Sequence, residues 1–405
     1  MTTPEQVVRR SRPFALITHS YYEEDPRVRR QAEAIVAAGR PVDVYSLRRP
    51  EDPPDGELSG VRIHRLDVQR HQGAGLGTYL SEYLAFFVQV GLALVRSYPR
   101  RRWALVQVAT LPDWLVFAAL PIRLVGVPVI LDLHEAMPDF FRSRFPGASN
   151  RIAHGLLRLA ERASVAAATH AITVNEVLRD RLIALGVPAA HVSVVRNTPS
   201  LARFDPHAHP DRAFMADGTL RLVYAGALTP TYELDVAVRA VASIRGARPS
   251  LPIRLELYGR GDSQAGLEGL AAELEVADAI TFHGRIPIED VPAAIARADI
   301  GLAPTRRDAF TDSSLSTKIL EYAAMRRPAV ASRLPLVART FPPATLATYA
   351  PGDPEDLAAR ILELVDGPPA RAAAVDGAAG LVGGMSWDGD QVEYLALLGG
   401  FARDR

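Results

Sequence analysis

The sequence predicts an α/β chain of two Rossmann-like, doubly wound domains, and three observations carry that expectation. Short apolar strand patterns alternate with helical patterns, beginning with a strand–helix–strand unit over residues 13–47. The alternation stops over 198–218, a stretch with three prolines and little periodicity, and restarts at Leu220. A length of 405 residues accommodates two domains of ordinary size.

The elements follow in order. Residues 13–20 (PFALITHS) read as a buried strand ending in a polar turn. Residues 25–39 carry apolar side chains at helical spacing, with Gly39 as a stop signal, and 41–47 form the next strand. Residues 69–77 are Gly-rich and predict a loop, and 79–97 a long apolar helix. Strands at 104–108, 127–133, 171–174 and 192–195 are separated by helical stretches such as 115–124 and 152–168. The second series has strands at 220–224, 253–258, 279–282, 300–303 and 328–332. Its helices fall at 234–244, 267–274, 291–298, 316–325 and 354–364, with a last one near 391–401. The expected domains are 1–200, 217–385 and a C-terminal helix within 386–405 that returns to the first domain. Ligands of such sheets bind outside the carboxyl ends of the strands, here in a cleft between the domains.

Composition narrows the chemistry. With no cysteine, the chain has no disulfide, thiolate metal site or cysteine nucleophile. Residues 1–13 are polar and Arg-rich, without a signal-peptide pattern, and the longest apolar stretch, 83–95, is short for a bilayer and contains Gln89. These features lead us to expect a cytoplasmic protein. No nucleic-acid partner is expected. The first 200 residues carry 25 arginines against 19 acidic residues, a surplus of six positive charges that the remainder offsets to a net charge of zero. That surplus suits an anionic acceptor or a membrane surface, or reflects compositional drift. Lys318 is the only lysine among 46 basic residues. The cluster at 96–102 (RSYPRRR), beside the apolar helix, suggests peripheral membrane contact at the inner face; a solvated loop is the alternative.

The strongest motif is 312–328, DSSLSTKILEYAAMRRP. A hydroxyl-rich turn, Ser313, Ser314, Leu315, Ser316 and Thr317, opens a helix whose free N–H groups and positive end suit an anion. Lys318 and Glu321 share a helix face. A cation beside an anion-binding turn, with a carboxylate one turn on, fits a nucleoside diphosphate: the cation meets phosphate and the carboxylate accepts from a ribose diol. A capped surface helix with an internal ion pair is the alternative.

This segment resembles the donor motif of family-4 glycosyltransferases, in the variant S-x-P-x-K-x-x-E-Y-x-A-x-G-x-P. Ser314, Lys318, Glu321, Tyr322, Ala324 and Pro328 match it, while Arg327 stands where glycine is usual. The commoner pattern has two glutamates eight positions apart; Glu321 matches the second, which implies ribose contact, and Ser313 replaces the first, with Asp312 adjacent. Residues 224–235 (YAGALTPTYELD) resemble the family's Y-x-G-x-L turn, where Gly226 allows close backbone approach. Ala227 and Tyr232–Glu233 replace the usual Arg and Lys–Gly, which shifts weight onto Lys318, with Arg260 and Arg285 as supporting cations. Residues 257–262 (LYGRGD) and 282–287 (FHGRIP) resemble the turns that lie near the nucleotide.

The N-terminal half adds 17–30, where the resemblance makes His19, Tyr21, Asp25 and Arg27 acceptor-side candidates, and 130–139 (ILDLHEAMPD), where it places His134 near the reacting sugar. Two patterns are set aside: Gly73, Gly75 and Gly77 lack a preceding strand, and His134–Glu135 lacks the second His of a zinc signature, since position 138 is Pro138.

The resemblance spans residues 14–394 and implies a GT-B fold with two facing Rossmann-like domains. It implies a retaining, metal-independent, cofactor-free transfer from a nucleotide-sugar donor, UDP favoured, to a glycan, lipid-linked or small-molecule acceptor. His134, Lys318 and Glu321 are the catalytic candidates. The competing expectations are a sugar-nucleotide 2-epimerase of the same fold and a degenerate binding protein.

Overall fold

The computed structural model describes residues 11–71, 75–148 and 150–402. They form two compact units, one running to Arg196 and resuming at Gln391, the other spanning Asn197–Asp390.

The first unit contains, in order, β1 (Phe14–Ile17), α1 (Pro26–Ala37), β2 (Val42–Leu47), β3 (Asp55–Leu58), β4 (Val61–Leu66), α2 (Leu76–Arg101) and β5 (Leu105–Ala109). It continues with α3 (Leu120–Leu124), β6 (Val129–Leu133), α4 (Met137–Arg144), α5 (Arg151–Ala167), β7 (His170–Thr173), α6 (Glu176–Ala184) and β8 (Val192–Val194). The strands form one sheet in the order β3-β4-β2-β1-β5-β6-β7-β8, parallel except for β3. Its central strands are apolar runs buried on both faces, as parallel strands covered by helices require. Helix α1 starts at Pro26, with the Asp25 carboxylate accepting from the Val28 amide, and the chain turns out at Gly39 (φ +83°).

The connections following β4 through β7 all advance the same way across the sheet, so right-handed crossovers place α2, α3, α5 and α6 on one face. Phe86, Ile122, Val165 and Leu182 from these helices share one core. The β1-to-β2 connection runs the other way and carries α1 to the opposite face. Helix α2 extends well beyond the apolar stretch 83–95 and is, by length and composition, able to cross a membrane. Its Tyr79, Phe86, Val90 and Leu94 are nevertheless buried.

The β3–β4 hairpin was not expected from the sequence. Its turn places Ser59 and Gly60 at positive φ, the geometry of a tight hairpin turn. A strand therefore does precede the Gly-rich stretch, contrary to expectation. Gly73 lies outside the described residues, and Gly77 lies within α2.

The second unit contains β9 (Leu220–Ala225), α7 (Leu234–Ala247), β10 (Ile253–Tyr258), α8 (Gln264–Glu273), β11 (Ile280–Gly284), α9 (Val291–Ala296) and β12 (Ile300–Ala303). It continues with α10 (Thr317–Ala324), β13 (Ala329–Ser332), α11 (Pro335–Thr340), β14 (Ala347–Tyr349), α12 (Pro354–Asp366), α13 (Pro368–Gly383) and the start of α14 (Trp387–Phe401). Its six strands run parallel in the order β11-β10-β9-β12-β13-β14. The stretch 198–218 belongs to this unit, with Phe204 buried in its core. Farther along α14, Tyr394 donates to Gln107 Oε1 in the first unit at 2.8 Å. This is the two-domain, parallel-sheet α/β architecture of the GT-B kind that the sequence predicts.

Candidate functional site

In the second sheet the chain proceeds from β9 toward β10 on one side and from β12 toward β13 on the other. The carboxyl ends of β9 and β12 therefore flank the topological switch point. Gly226 follows β9, and the loop leading into α10 follows β12. The loops after β9, β10 and β11 are laced together by backbone bonds: Gly226 N to Tyr258 O (2.8 Å), Leu228 N to Arg260 O (3.1 Å) and Gly259 N to Gly284 O (2.8 Å). A Cβ on Gly259 would lie 1.7 Å from Gly226 O, so this lacing requires glycine there.

Helix α10 is pinned by Tyr322, whose buried hydroxyl lies 3.1 Å from Leu302 O and 3.3 Å from Val223 O. A side chain at Gly301 would collide with the Tyr322 ring, its Cβ lying 2.4 Å from ring carbons. This fixes where α10 begins. Ser316 precedes the helix without a side-chain capping bond, so no side chain at the cap occupies the first-turn N–H groups of Thr317 and Lys318. Upstream, Ser313 Oγ donates to Phe310 O (3.1 Å) and Ser314 N to Thr311 O (3.1 Å). Asp312, next to the position of the missing glutamate, pairs with Arg307 at 3.2 Å.

Lys318 is buried at 8% exposure. Its Nζ lies 4.1 Å from the Tyr232 ring centroid and 4.9 Å from that of Tyr224. It also lies against Gly226, where a Cβ would sit 2.4 Å from Lys318 Cε. Among the described residues no carboxylate forms an ion pair with it, Glu321 included. Two aromatic faces offset part of the desolvation cost, by about 0.5–2 kcal/mol, and the remainder favours an arriving anion. Glu233, in place of the usual glycine, accepts from Gly352 N at 2.8 Å; burial raises the pKa of its carboxyl, and the Gly352 amide opposes that shift. Glu321 is half-buried one turn beyond Lys318. Arg260 and Arg285 are exposed on the neighbouring loops. The left-handed residue after α10 is Arg326 (φ +51°) rather than Arg327, which is anchored through Nη2 to Ala296 O at 2.6 Å.

In the first unit the residues expected on the acceptor side divide into two sets. His19 and His134 lie past the ends of β1 and β6. The His19 ring makes edge contacts with Tyr83 (4.6 Å) and Phe86 (5.1 Å), and its Nε2 has no hydrogen-bond partner among the described residues. Burial, with Arg70 second, pushes His19 down to about 3, so the ring is neutral. His134 Nε2 is 3.3 Å from Asp132 Oδ2, and the His134 amide donates to Thr110 Oγ1 at 3.1 Å. Tyr21 Oη accepts from the Arg70 amide at 3.3 Å.

Asp25 and Arg27 instead face inward. The Asp25 carboxylate accepts from Thr18 (3.1 Å), Ser20 (2.7 Å) and the Val28 amide (3.0 Å). Arg27 is buried in a two-pronged pair with Asp132, Nη2 to Oδ1 at 2.7 Å and Nε to Oδ2 at 3.1 Å. Gln31 also donates to Asp132 (2.9 Å), and Gln107 donates to Gln31 Oε1 (2.9 Å). Burial alone would raise Asp132, but Arg27 and His134 hold it well below the usual carboxylate range.

Tyr224 and Tyr232 wall the Lys318 ammonium, a role that nothing in the local sequence signals, since Tyr232 there stands only where a cation is usual. Among the described residues no group of three His, Asp or Glu side chains is arranged to hold a metal ion.

Two family models match the chain: the glycosyl transferase 4-like domain over residues 25–198 and the glycosyl transferases of group 1 over 219–367. The glycogen synthase of Mycobacterium tuberculosis is 26% identical over 354 residues, covering 83% of this chain and 81% of its own length. A GDP-mannose-dependent monoacylated alpha-(1-6)-phosphatidylinositol monomannoside mannosyltransferase of Corynebacterium glutamicum is 30% identical over 191 residues, covering 47% of this chain and 48% of its own. Among solved structures, the sucrose-phosphate synthase of Thermosynechococcus elongatus superposes with a TM-score of 0.74 at 18% identity, covering 96% of this chain and 98% of the other.

Proposed function

We propose a specific reaction for this chain, which belongs to the group 1 glycosyl transferases: transfer of a glycosyl group from a nucleoside-diphosphate sugar to an acceptor hydroxyl, with retention of anomeric configuration and without a metal. The observation that carries the donor assignment is the buried, carboxylate-free ammonium of Lys318 at the switch point of the second sheet, beside uncapped N–H groups at the start of α10. A diphosphate leaving group gathers negative charge as the glycosidic bond breaks. A preorganised cation and aligned amides stabilise that charge without reorganising. In this reading Ser313–Thr317 and Lys318 take the diphosphate and Glu321 the ribose, while Arg260 and Arg285 line the nucleotide side. UDP is the first nucleotide to test and GDP the second. His134 and His19 serve the acceptor, which is a glycan, a lipid-linked sugar or a small molecule. The relatives' names, glycogen synthase and a phosphatidylinositol mannoside mannosyltransferase, support the breadth of that class. We place the reaction in the cytoplasm.

The test is a thermal-shift screen of the full chain against UDP- and GDP-sugars. Transfer with the stabilising donor is then followed by NMR of the anomeric proton of the product. The reading expects at least one donor to raise the melting temperature and the product to keep the donor's configuration. Absence of any donor shift and of transfer sinks the donor site, an inverted product sinks retention, and a donor-sugar epimer without transfer assigns an epimerase.

A further inference from the structure

Helix α2 packs one side into the first unit's core through Phe86, Val90 and Leu94. A helix packed this way normally turns charged residues to water. The opposite side of α2 instead presents Leu80, Leu84, Val88, Leu92 and Val95, each about half exposed, with Leu84 at 57%. The sole acid in α2, Glu82, is buried and paired with His71. The stripe ends in Arg96, Arg100 and Arg102, all exposed.

The same helical layer repeats this pattern on α5. Ile152, Leu156 and Leu159, at helical spacing, are 62–76% exposed. They alternate with exposed Arg151, Arg158 and Arg162. The one acid of α5, Glu161, is buried and holds Arg181. Between these helices, at the end of α3, Leu124 is 84% exposed beside half-buried Arg123. The outer surface of α2, α3 and α5 therefore combines apolar side chains with arginines and carries no exposed carboxylate.

We infer that this face is a docking surface for an anionic lipid bilayer, on which the first unit lies with α2 and α5 in the plane of the interface. Apolar stripes rimmed by cations and free of acids match the acyl–headgroup boundary of such a membrane. Arginine stems reach along the apolar surface while their guanidinium groups meet phosphate. A crossing helix would need lipid around its whole circumference, whereas Phe86, Val90 and Leu94 of α2 are fixed in protein. A second copy of this chain would set arginines against arginines across a two-fold axis, which disfavours self-association.

The experiment is sedimentation of the full-length chain with vesicles of pure phosphatidylcholine and of equal parts phosphatidylcholine and phosphatidylglycerol, without sugar donor or acceptor. Its outcome is thus independent of the catalytic reading. Binding is expected only to the anionic vesicles, weakening with salt. Double variants Leu84→Ser/Leu156→Ser and Arg96→Glu/Arg158→Glu, checked for intact fold by circular dichroism, should each lower binding by about tenfold or more. No binding by the native chain, or binding unchanged in both folded variants, overturns the inference. Size-exclusion chromatography supplies the other arm: a dimer that the apolar variant dissociates, without vesicle binding, assigns the face to self-association and also overturns it.

Discussion

Lys318 and Gly226 are in direct contact across the switch point of the second sheet, and a Cβ on the glycine would sit 2.4 Å from the lysine's Cε. The absence of a side chain after β9 is what lets the ammonium lie beside the β9 loop. Lys318→Ala should lower turnover with the stabilising donor by on the order of 100-fold, as for loss of one preorganised charge stabiliser. Gly226→Ala should produce a comparable loss by displacing an intact lysine. Both are read as kcat in a transfer assay, with circular dichroism to confirm the fold. Near-native turnover in folded Lys318→Ala removes the lysine from the mechanism.

Tyr232 faces the same ammonium at 4.1 Å, and this contact makes a separable prediction. Tyr232→Phe keeps an aromatic face and should leave donor affinity within about twofold of native, whereas Tyr232→Ala should weaken it by about 3- to 10-fold. Donor titration by calorimetry measures both. Equal losses in the two variants would assign the effect to the hydroxyl and not to the ring.

The contrast between these residues explains what was legible in the sequence. Ser313–Glu321 lie in one local segment, so helix periodicity and residue chemistry bring them together before any fold is known. Tyr232 meets Lys318 only because β9 and β12 are neighbours in the sheet, which spacing along the chain does not reveal. Arg27 is the same case: its partner Asp132 lies 105 residues away, so an arginine in an opening motif reads as solvent-facing until β6 is placed. Buried parallel strands such as β12, Ile300–Ala303, were readable from their apolar runs. The edge strand β3, with the sequence DGEL and alternating exposure, has too little apolar content to register.

The Arg27–Asp132 pair supports a stability prediction. Asp132→Asn leaves the buried guanidinium without its counter-charge and should cost about 3–5 kcal/mol in urea unfolding at neutral pH. Because the folded carboxyl titrates below its ordinary value of 3.8, its stabilisation is complete above that value and is lost as pH falls through the folded pKa. The native chain should therefore show an acid-unfolding limb below about pH 4 that is shallower in Asp132→Asn.

Asp113 titrates in the opposite direction. It is fully buried, neither carboxylate oxygen has a hydrogen-bond partner among the described residues, and burial, with Glu161 second, raises it well above 3.8. The folded state thus retains a proton that the unfolded chain releases, so stability declines as pH rises above 3.8 toward the folded pKa. Asp113→Asn mimics the protonated form. It should melt at or above the native temperature and flatten the decline that the native chain shows as pH rises above 3.8. A lower melting temperature for the variant would mean the carboxylate is ionised and paired.

His19 adds a third pH signature, opposite in sign to that of Asp113, since here stability is lost as pH falls. Burial and then Arg70 lower its pKa from 6.5 to about 3. As pH falls through 6.5 the unfolded chain takes up a proton at this position and the folded chain does not, so stability is full above 6.5 and is lost progressively toward 3. At pH 5 the native chain has lost about 2 kcal/mol through this residue alone. His19→Gln removes the titration while keeping a polar side chain. Whatever the variant costs at pH 7, its further loss between pH 7 and pH 5 should be smaller than the native loss by about that amount. Urea unfolding of both proteins at the two pH values measures the difference, in which the remaining histidines cancel. Equal losses would mean that the imidazole is solvated, and the neutral, edge-packed ring against Tyr83 and Phe86 would then be wrong.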